Sequence, residues 1–262
     1  MTGRRRTAAA GHKPGGGTGN PDAAAVAPEA SEGGRLLFYG RRQGRKLRPG
    51  RQRLMDELLP RLGISLPPGG GPLRRSIDPR GLFPAPPRAL WLEIGFGGGE
   101  HLAAQAARHP EIGFLGSEVF VNGIATLLAA VEQSDLGNVR LWPDDARMLL
   151  DALPDACLER VFLLFPDPWP KRRHADRRFI GPRNLARLAR LLQPGGELRV
   201  ASDDAGYVAW TLMHLRRHPA FRWLAARADD WRRPPPDWEP TRYEAKAIAA
   251  GRKPTYLRFA RR

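Results

Sequence analysis

Short apolar runs alternate with segments of helical periodicity from about residue 89 to the end of the chain. The runs that predict strands are Ala89–Phe96, Gly113–Val119, Val139–Trp142, Arg160–Phe165, Glu197–Ala201, Phe221–Leu224 and Thr255–Phe259. The segments that predict helices are Gly99–Arg108, Asn122–Gln133, Ala146–Ala152, Phe179–Leu192 and Ala205–Arg217, with a turn at Pro194–Gly196. This alternation predicts an α/β fold with an open, mostly parallel sheet and helices on both faces.

The N-terminal third has a different pattern. Leucines at helical spacing predict an amphipathic helix over Gln52–Leu62, and a Pro- and Gly-rich stretch predicts a loop over residues 67–87. Residues 1–34 contain almost no large apolar side chain, which favours a disordered basic tail. The expected organisation is this tail followed by one domain over residues 35–262, in which residues 35–87 form an N-terminal extension.

The formal charge of +16 over 262 residues favours a nucleic-acid partner. A compositional bias of the coding sequence is the alternative, because Arg is abundant and Lys scarce, so cations clustered beside a site are the better indicator. The single Cys157 excludes an internal disulfide, and neither it nor the histidines have metal-ligand spacing. No apolar run approaches the roughly 18 residues of a membrane span. The expectation is a cytoplasmic protein without a metal site.

A glycine-rich turn joins the first predicted strand to its helix in "LEIGFGGGEHL", residues 92–102. Gly95 and Gly97 let a ligand approach the backbone at a helix N-terminus. The third glycine of a dinucleotide-binding fingerprint is replaced by Glu100, and Glu93 adds another carboxylate before the turn. Acids suit a ligand with cationic groups, such as S-adenosylmethionine, better than a pyrophosphate.

Further acids follow the next two strands. Glu118 lies close to the roughly 20-residue offset at which a carboxylate accepts the hydroxyls of a ribose. Asp144 and Asp145 follow the third strand, where an acid commonly meets an adenine amino group; both remain candidates. Solvated surface acids are the alternative, but the complete strand–turn–helix–strand unit favours a ligand site.

The segment "FPDPWPKRRHADRR", residues 165–178, places a carboxylate between two prolines and then a run of cations. Asp167 follows the fourth predicted strand, so it should lie in the crevice beside the glycine turn. Trp169 offers a face on which an unstacked base could lie. A surface turn with a half-buried Trp is the alternative for this segment considered alone.

These segments, with "GSEVFVNGIATLL" and "TRYEAKAIAAGRKPTYLRF", resemble the bacterial tRNA (guanine-N7)-methyltransferases over roughly residues 35–262. The resemblance implies a Rossmann-like class I methyltransferase fold, S-adenosyl-L-methionine as cofactor and tRNA as partner. It further implies methylation of N7 of guanine 46 in the variable loop. The chain departs from the family pattern at Pro170, at Asp176 and after Asp203. Either a monomer or a homodimer is compatible with the sequence.

The resemblance also implies roles for individual residues. Asp167 is the expected catalytic residue and should also contact the cofactor. The other expected cofactor contacts are Glu93, Gly95, Gly97, Glu118 and Asp145. The expected substrate contacts are Lys171, Asp203, Thr241, Arg242, Tyr243 and Glu244, and the expected RNA contacts are Arg173, His174, Arg177 and Arg178.

The chemistry of guanine N7 determines which roles the site residues need to perform. N7 carries a lone pair and no proton, so its methylation needs positioning rather than a general base. A carboxylate, Asp167 or Glu244, is expected on the N1–H and N2–H edge of the base, while Lys171 approaches O6.

Two other functions fit parts of the pattern. A nucleic-acid methyltransferase acting on an exocyclic amino group shares the strand location of Asp167, but its motif has a second proline where this chain has Trp169. A non-catalytic RNA-binding module would not need the full set of acids. An NAD oxidoreductase is disfavoured by Glu100.

Overall fold

The computed structural model describes residues 40–66 and 76–262, together with the backbone of two short antiparallel strands, β1 (Ser31–Glu32) and β2 (Arg35–Leu36). Residues 1–30, 33 and 34 of the predicted tail and residues 67–75 of the predicted loop lie outside the described residues. The predictions for those segments therefore remain predictions.

Seven strands form the sheet in the order β5-β4-β3-β6-β7-β9-β8. Their bounds are β3 Ala89–Ile94, β4 Ile112–Ser117, β5 Val139–Trp142, β6 Leu158–Leu164, β7 Leu192–Ser202, β8 Phe221–Trp223 and β9 Thr255–Arg261. Strands β3 to β7 pair in parallel, and β9 runs antiparallel to both β7 and β8. The predicted open, mostly parallel sheet is confirmed.

The helices cover both faces of the sheet, with one buried apolar cluster on each side. They are α1 Pro49–Arg53, α2 Leu59–Leu62, α3 Glu100–Arg108, α4 Val121–Ser134, α5 Ala146–Ala152, α6 Pro182–Leu191, α7 Ala205–Arg217, α8 Asp229–Arg232 and α9 Arg242–Ala249, plus a 3-10 helix over Arg172–Arg177. No helix in the described part of the chain is both long and apolar enough to cross a membrane.

The N-terminal helix begins three residues before the predicted Gln52 and contains a π-helical turn, Leu54–Leu58, between α1 and α2. The N–H of Leu59 donates to the carbonyl of Leu54, five residues back. Pro60 has no N–H and its ring crowds the preceding turn, which accounts for the wider spacing there.

Proline and glycine also shift two predicted boundaries. Helix α6 begins at Pro182 rather than at Phe179, since Gly181 is extended and a proline suits the first helical position. The predicted turn at Pro194–Gly196 forms, with Gly195 at φ +81°, but as an irregularity inside β7.

Strand β3 lies between β4 and β6. From β3 the chain continues to β4 and β5 on one side, and it then returns to β6 on the other side of β3. The carboxyl ends of these strands therefore border a crevice, which is where open α/β sheets bind ligands. Glu118 follows β4 and Asp167 follows β6, so the topology brings together acids that are about 50 residues apart in sequence.

A buried ionic cluster ties the loop before α9 to the sheet. The guanidinium of Arg199, only 4% exposed, donates to both carboxylate oxygens of Asp237 at 2.8 and 2.9 Å and to Glu197 at 3.1 Å. Arg160 donates to Asp237 at 3.0 Å and lies over the ring of Trp91. Although burial alone would raise it, these bonds and charges lower the pKa of Asp237 to about 2.

We expect Asp237→Asn to destabilise the protein, because Arg199 and Arg160 would lose a shared counter-charge. Breaking a fully buried ion pair costs about 3–5 kcal/mol. Because the Asp237 side chain is 36% exposed and partly screened by solvent, we expect the loss in unfolding free energy to be about 2 kcal/mol near neutral pH. The pKa is depressed on folding, so this stabilisation is present above the unfolded pKa near 3.8 and is lost as pH falls through about 2.

Denaturant unfolding of the wild type and of Asp237→Asn at pH 7 and pH 3 measures this loss. The difference in unfolding free energy between the two proteins should be smaller at pH 3. Asp155→Asn removes a well-exposed partner of Arg190 and should cost less than about 1 kcal/mol. An Asp237→Asn penalty that is the same at both pH values would contradict the account.

Candidate cofactor and substrate site

A cavity of about 510 Å³ opens at the carboxyl ends of β3, β4, β5 and β6. This volume lies in the ordinary range of small-molecule sites, about 300–1,000 Å³. Five of its lining residues are acidic, namely Glu118, Asp144, Asp145, Asp167 and Asp176. The lining also includes Gly40, Arg41, Gly95, Gly97, Arg147, Trp169, Arg177, Arg178 and Tyr243.

The glycine turn is held in a conformation that side chains rarely adopt. Gly97 has φ +58°, and a Cβ there would lie 3.0 Å from Cε2 of Tyr243. The backbone of the turn therefore faces the cavity closely, and Tyr243 lies against it from the C-terminal part of the chain. Both expected cofactor glycines, Gly95 and Gly97, line the cavity.

Glu118 is fixed by three backbone donors. Its Oε1 accepts from the N–H groups of Val119 and Phe120 at 2.7 and 2.9 Å, and its Oε2 accepts from Gly97 at 2.7 Å. Burial raises the pKa of Glu118, these three bonds lower it, and the charge of Asp167 adds a smaller rise; the net direction is upward. The carboxylate is thus oriented before any ligand arrives, and Oε2 keeps a lone pair for a ligand hydroxyl.

Asp144 and Asp145 both line the cavity and differ in their partners. Oδ1 of Asp144 accepts from Arg42 and from the backbone N–H of Asp145, each at 2.8 Å. Asp145 caps α5 through the N–H of Arg147 and also forms an ion pair with the Arg147 side chain at 2.6 Å. Each of the two acids therefore lines the cavity with an arginine as its partner.

The turn that carries Asp167 is braced at both ends. Phe165 and Trp169 have φ of +50° and +43°, in the left-handed region, where non-glycine residues are strained. The N–H of Phe165 continues the sheet pairing to the carbonyl of Ala201 at 2.8 Å. Asp167 is exposed at the cavity surface, and the turn fixes the backbone from which its carboxylate extends.

Arg178 provides much of that bracing. Its guanidinium donates to the carbonyls of Pro168 at 3.0 Å and Trp169 at 3.1 Å, and it lies over the ring of Trp210. The sequence predicts Arg178 as an RNA contact, whereas its described contacts hold the Asp167 turn. Arg177 lies 5.0 Å from the centroid of the Trp169 ring, so one face of that ring is covered.

The other basic residues of this segment face solvent. Lys171, Arg172 and Arg173 are exposed, and His174 packs edge-on against Trp169. Slight burial and then the charges of Arg177, Arg173 and Lys171 lower the pKa of His174. Three cations thus lie close enough to His174 to contribute to this lowering, and such a cluster of positive charge suits an anionic partner.

The segment Thr241–Glu244 forms the N-terminus of α9. The hydroxyl of Thr241 accepts from the N–H of Glu244, while the Glu244 carboxylate accepts from the N–H of Thr241, a reciprocal capping box. Glu244 is buried and also accepts from Trp238 at 2.7 Å and from the hydroxyl of Tyr256. With three donors already bound, it is poorly placed to contact a base.

The remaining predicted residues are distributed around this core of the site. Tyr243 lines the cavity, and Arg242 lies over its ring at 5.1 Å and near Glu100. Asp203 follows β7 and forms an ion pair with Arg252, outside the cavity lining. Glu93 is buried below the glycine turn, where its Oε2 lies 2.7 Å from Nδ1 of His101. Its expected contact with a cofactor stays a prediction.

The sequence did not predict that residues 40–42 belong to the site. Gly40 and Arg41 line the cavity, and Arg42 forms an ion pair with Asp144 at 2.8 Å. No group of metal-ligating side chains occurs within residues 40–66 and 76–262.

Known proteins are similar to this chain in sequence over most of its length. Residues 87–257 match the family model described as "Putative methyltransferase". A tRNA (guanine-N(7)-)-methyltransferase from Rhodospirillum rubrum is 62% identical over 86% of this chain and 88% of its own. One from Paramagnetospirillum magneticum is 56% identical over 87% of this chain and 94% of its own. The chain belongs to the tRNA (guanine-N7)-methyltransferase family.

Membership makes this chain a methyltransferase, and its cofactor is S-adenosylmethionine. The predicted class I methyltransferase fold agrees with the sheet order of this family member. Among solved structures, that of the 16S rRNA methyltransferase KamB is similar with a TM-score of 0.49 and 13% identity, over 70% of this chain and 90% of that one.

The residues of this methyltransferase fit its cofactor. The glycine turn leaves its backbone open to the cavity, and the Glu118 carboxylate beside it is fixed by three backbone donors and can still accept from a ligand hydroxyl. Glu118, Gly95 and Gly97 would hold the cofactor, with Asp144 or Asp145 as the further acid.

Proposed function

We propose that this enzyme methylates N7 of guanine 46 in the variable loop of tRNA. The observation that carries the proposal is the position of Asp167, exposed on a braced turn at the edge of the cofactor cavity. The names of the relatives and the exposed cations at Lys171–Arg173 support tRNA as the substrate. Because tRNA is a cytoplasmic molecule in bacteria, we place the enzyme in the cytoplasm.

The described contacts favour Asp167 over Glu244 as the carboxylate that reads the guanine edge. Glu244 is buried and bonded to Trp238, Thr241 and Tyr256, so its oxygens are engaged inside the protein. Asp167 has no hydrogen bond from another described side chain and borders the cavity. Guanine presents N1–H and N2–H donors that adenine lacks, so a carboxylate at this place selects guanine.

The charge of Asp167 also contributes to the reaction. S-adenosylmethionine, when bound, supplies the methyl group from a cationic sulfonium. The purine becomes positively charged as N7 is alkylated, so a fixed carboxylate beside it stabilises the developing charge. A charge pair at about 4 Å and an effective dielectric near 20 is worth ~4 kcal/mol, of which only the change along the reaction counts.

No residue has to remove a proton from N7. The enzyme's task is to fix the base, exclude water and place the carboxylate, which are positioning effects. The strained and braced turn is consistent with that task, since the Asp167 backbone needs little further ordering when the base arrives.

The exposed cations should set the salt dependence of tRNA binding. Replacing Arg172 and Arg173 with Ala should weaken binding and lower the log–log salt slope by roughly 0.7–0.9 for each phosphate that is no longer neutralised. Affinity for S-adenosylhomocysteine should stay within about twofold, because neither residue lines the cavity. Filter binding at several salt concentrations measures the slope.

Arg178→Ala is the matched control within the same segment. Its guanidinium holds two carbonyls of the Asp167 turn, so turnover should fall while the salt slope changes little. A reduced slope in Arg178→Ala with an unchanged slope in the Arg172 and Arg173 variant would reverse these assignments.

Methyl transfer to two tRNA transcripts that differ only at position 46 tests the proposed substrate. The transcript with guanine 46 should accept one methyl group, and the transcript with adenine 46 should accept none. Equal incorporation into both would overturn the proposed target position while leaving the enzyme class intact.

A further inference from the structure

We infer that residues 40–48, the N-terminal strap, form a second tRNA-binding surface that contacts backbone phosphates beside the cofactor cavity. The inference rests on the proposed function, because it takes tRNA to be the substrate. It assigns a role to a segment that precedes the matched family model, which begins at residue 87.

The strap is fastened to the start of α4 by backbone-directed bonds. The N–H of Val121 donates to the carbonyl of Arg42 at 2.9 Å. The side chain of Asn122 bonds the strap twice, accepting from Gly44 N–H at 2.7 Å and donating to the Arg45 carbonyl at 2.7 Å. The backbone that carries the cations is therefore fixed in place, and little order has to be gained when a ligand binds.

The strap also reaches the cofactor cavity. Gly40 and Arg41 belong to the cavity lining, and Arg42 forms an ion pair with Asp144, another lining residue. The basic segment around Lys171 reaches the same cavity through Arg177 and Arg178. A polyanion whose base enters this cavity would thus meet both segments.

The cations of the N-terminal segment fall into two groups. Three arginines already have partners within the protein. Arg42 forms an ion pair with Asp144, and Arg51 donates to the carbonyls of Ala125 and Thr126. Arg53 forms ion pairs with Glu57 and Glu132. The others are exposed and have no ion-pair partner among the described residues: Arg41, Arg45, Lys46 and Arg48.

Exposed, unpaired cations on a fixed backbone match the chemistry of a phosphate backbone. Such contacts position a nucleic acid and add affinity through counterion release without reading its sequence. No carboxylate lies within residues 40–48 to neutralise them. An acidic protein would meet the same charge, but tRNA is favoured because the strap adjoins the cavity that must receive the base.

The test compares two double variants of the full-length protein that remove the same charge. Arg45→Ala with Lys46→Ala removes strap cations that do not line the cavity. Arg217→Ala with Arg222→Ala removes exposed cations at the end of α7 and in β8. Unmodified tRNA binding is measured over a range of salt, and S-adenosylhomocysteine binding is measured by calorimetry.

We expect the strap variant to lose about 1.4–1.8 from the log–log salt slope, and the Arg217 and Arg222 variant to keep the wild-type slope. Cofactor-product affinity should be unchanged in both. A strap variant with the wild-type slope would overturn the inference, as would an equal loss in the control variant. If the strap variant keeps the wild-type slope while the double variant of Arg172 and Arg173 has a reduced one, the proposed function still holds and only the role assigned to the strap is wrong.

Discussion

Asp167→Asn should bind tRNA and cofactor nearly as well as the wild type but transfer methyl groups at least about 30-fold more slowly, equivalent to ~2 kcal/mol of lost transition-state stabilisation. The substitution keeps the shape of the side chain and removes its charge. The amide oxygen can still accept from the guanine edge, and phosphate contacts carry most of the tRNA affinity. The braced turn leaves the backbone unchanged, so the effect should appear mainly in turnover. Single-turnover methyl transfer with saturating tRNA measures it.

Asp167→Ala should be slower still, because it also loses the hydrogen bonds to the base. Asp176→Asn is the control, since Asp176 lines the same cavity from the 3-10 helix but is not on the Asp167 turn. The wild-type rate should not follow the ionisation of a general base near neutral pH, as N7 has no proton to lose. An Asp167→Asn enzyme with wild-type turnover would contradict the assigned role.

Glu118→Gln should weaken S-adenosylhomocysteine binding by about 30- to 150-fold, roughly 2–3 kcal/mol, the cost of losing a charged hydrogen-bond acceptor in a half-buried position. One carboxylate oxygen becomes an NH2 group that faces a backbone N–H, of either Gly97 or the pair Val119 and Phe120. Both the ligand hydroxyl and the glycine turn then lose a partner. Calorimetry measures the affinity.

The pH dependence of binding provides a second readout. The pKa of Glu118 is raised, so its carboxylate takes up a proton at a higher pH than an ordinary glutamate and then loses an acceptor. Wild-type affinity should start to fall, as the pH is lowered, at a pH above the ordinary glutamate value of 4.5, while the Gln variant should show a flatter profile. Glu100→Gln, an exposed acid of the same turn, should leave both measurements nearly unchanged. Unaltered affinity in Glu118→Gln would show that another residue holds the ribose.

Periodicity and motif spacing were sufficient to predict the sheet and the positions of Glu118 and Asp167. Both features follow from local sequence, because apolar runs specify strands and parallel strands bring their carboxyl ends to one edge. The position of α9 was also encoded locally, in the T-x-x-E capping box of Thr241 and Glu244, although the prediction did not use that signal.

The functions of Glu244 and Arg178 could not be predicted in the same way. Whether Glu244 faces a ligand depends on Trp238 and on Tyr256, which comes from a different strand. Arg178 is one cation in a basic run, and only the folded turn shows that it donates to Pro168 and Trp169. Such roles depend on tertiary contacts, which residue type and spacing do not specify.

The chemical identity and position of the transferred methyl group test the central claim most directly. Unmodified tRNA would be incubated with the enzyme and S-adenosylmethionine and then cleaved chemically at 7-methylguanosine. The account predicts a single enzyme-dependent break at guanine 46, which forms much more slowly with Asp167→Ala. Methyl incorporation without this break, with the label recovered on a guanine amino group, would contradict it.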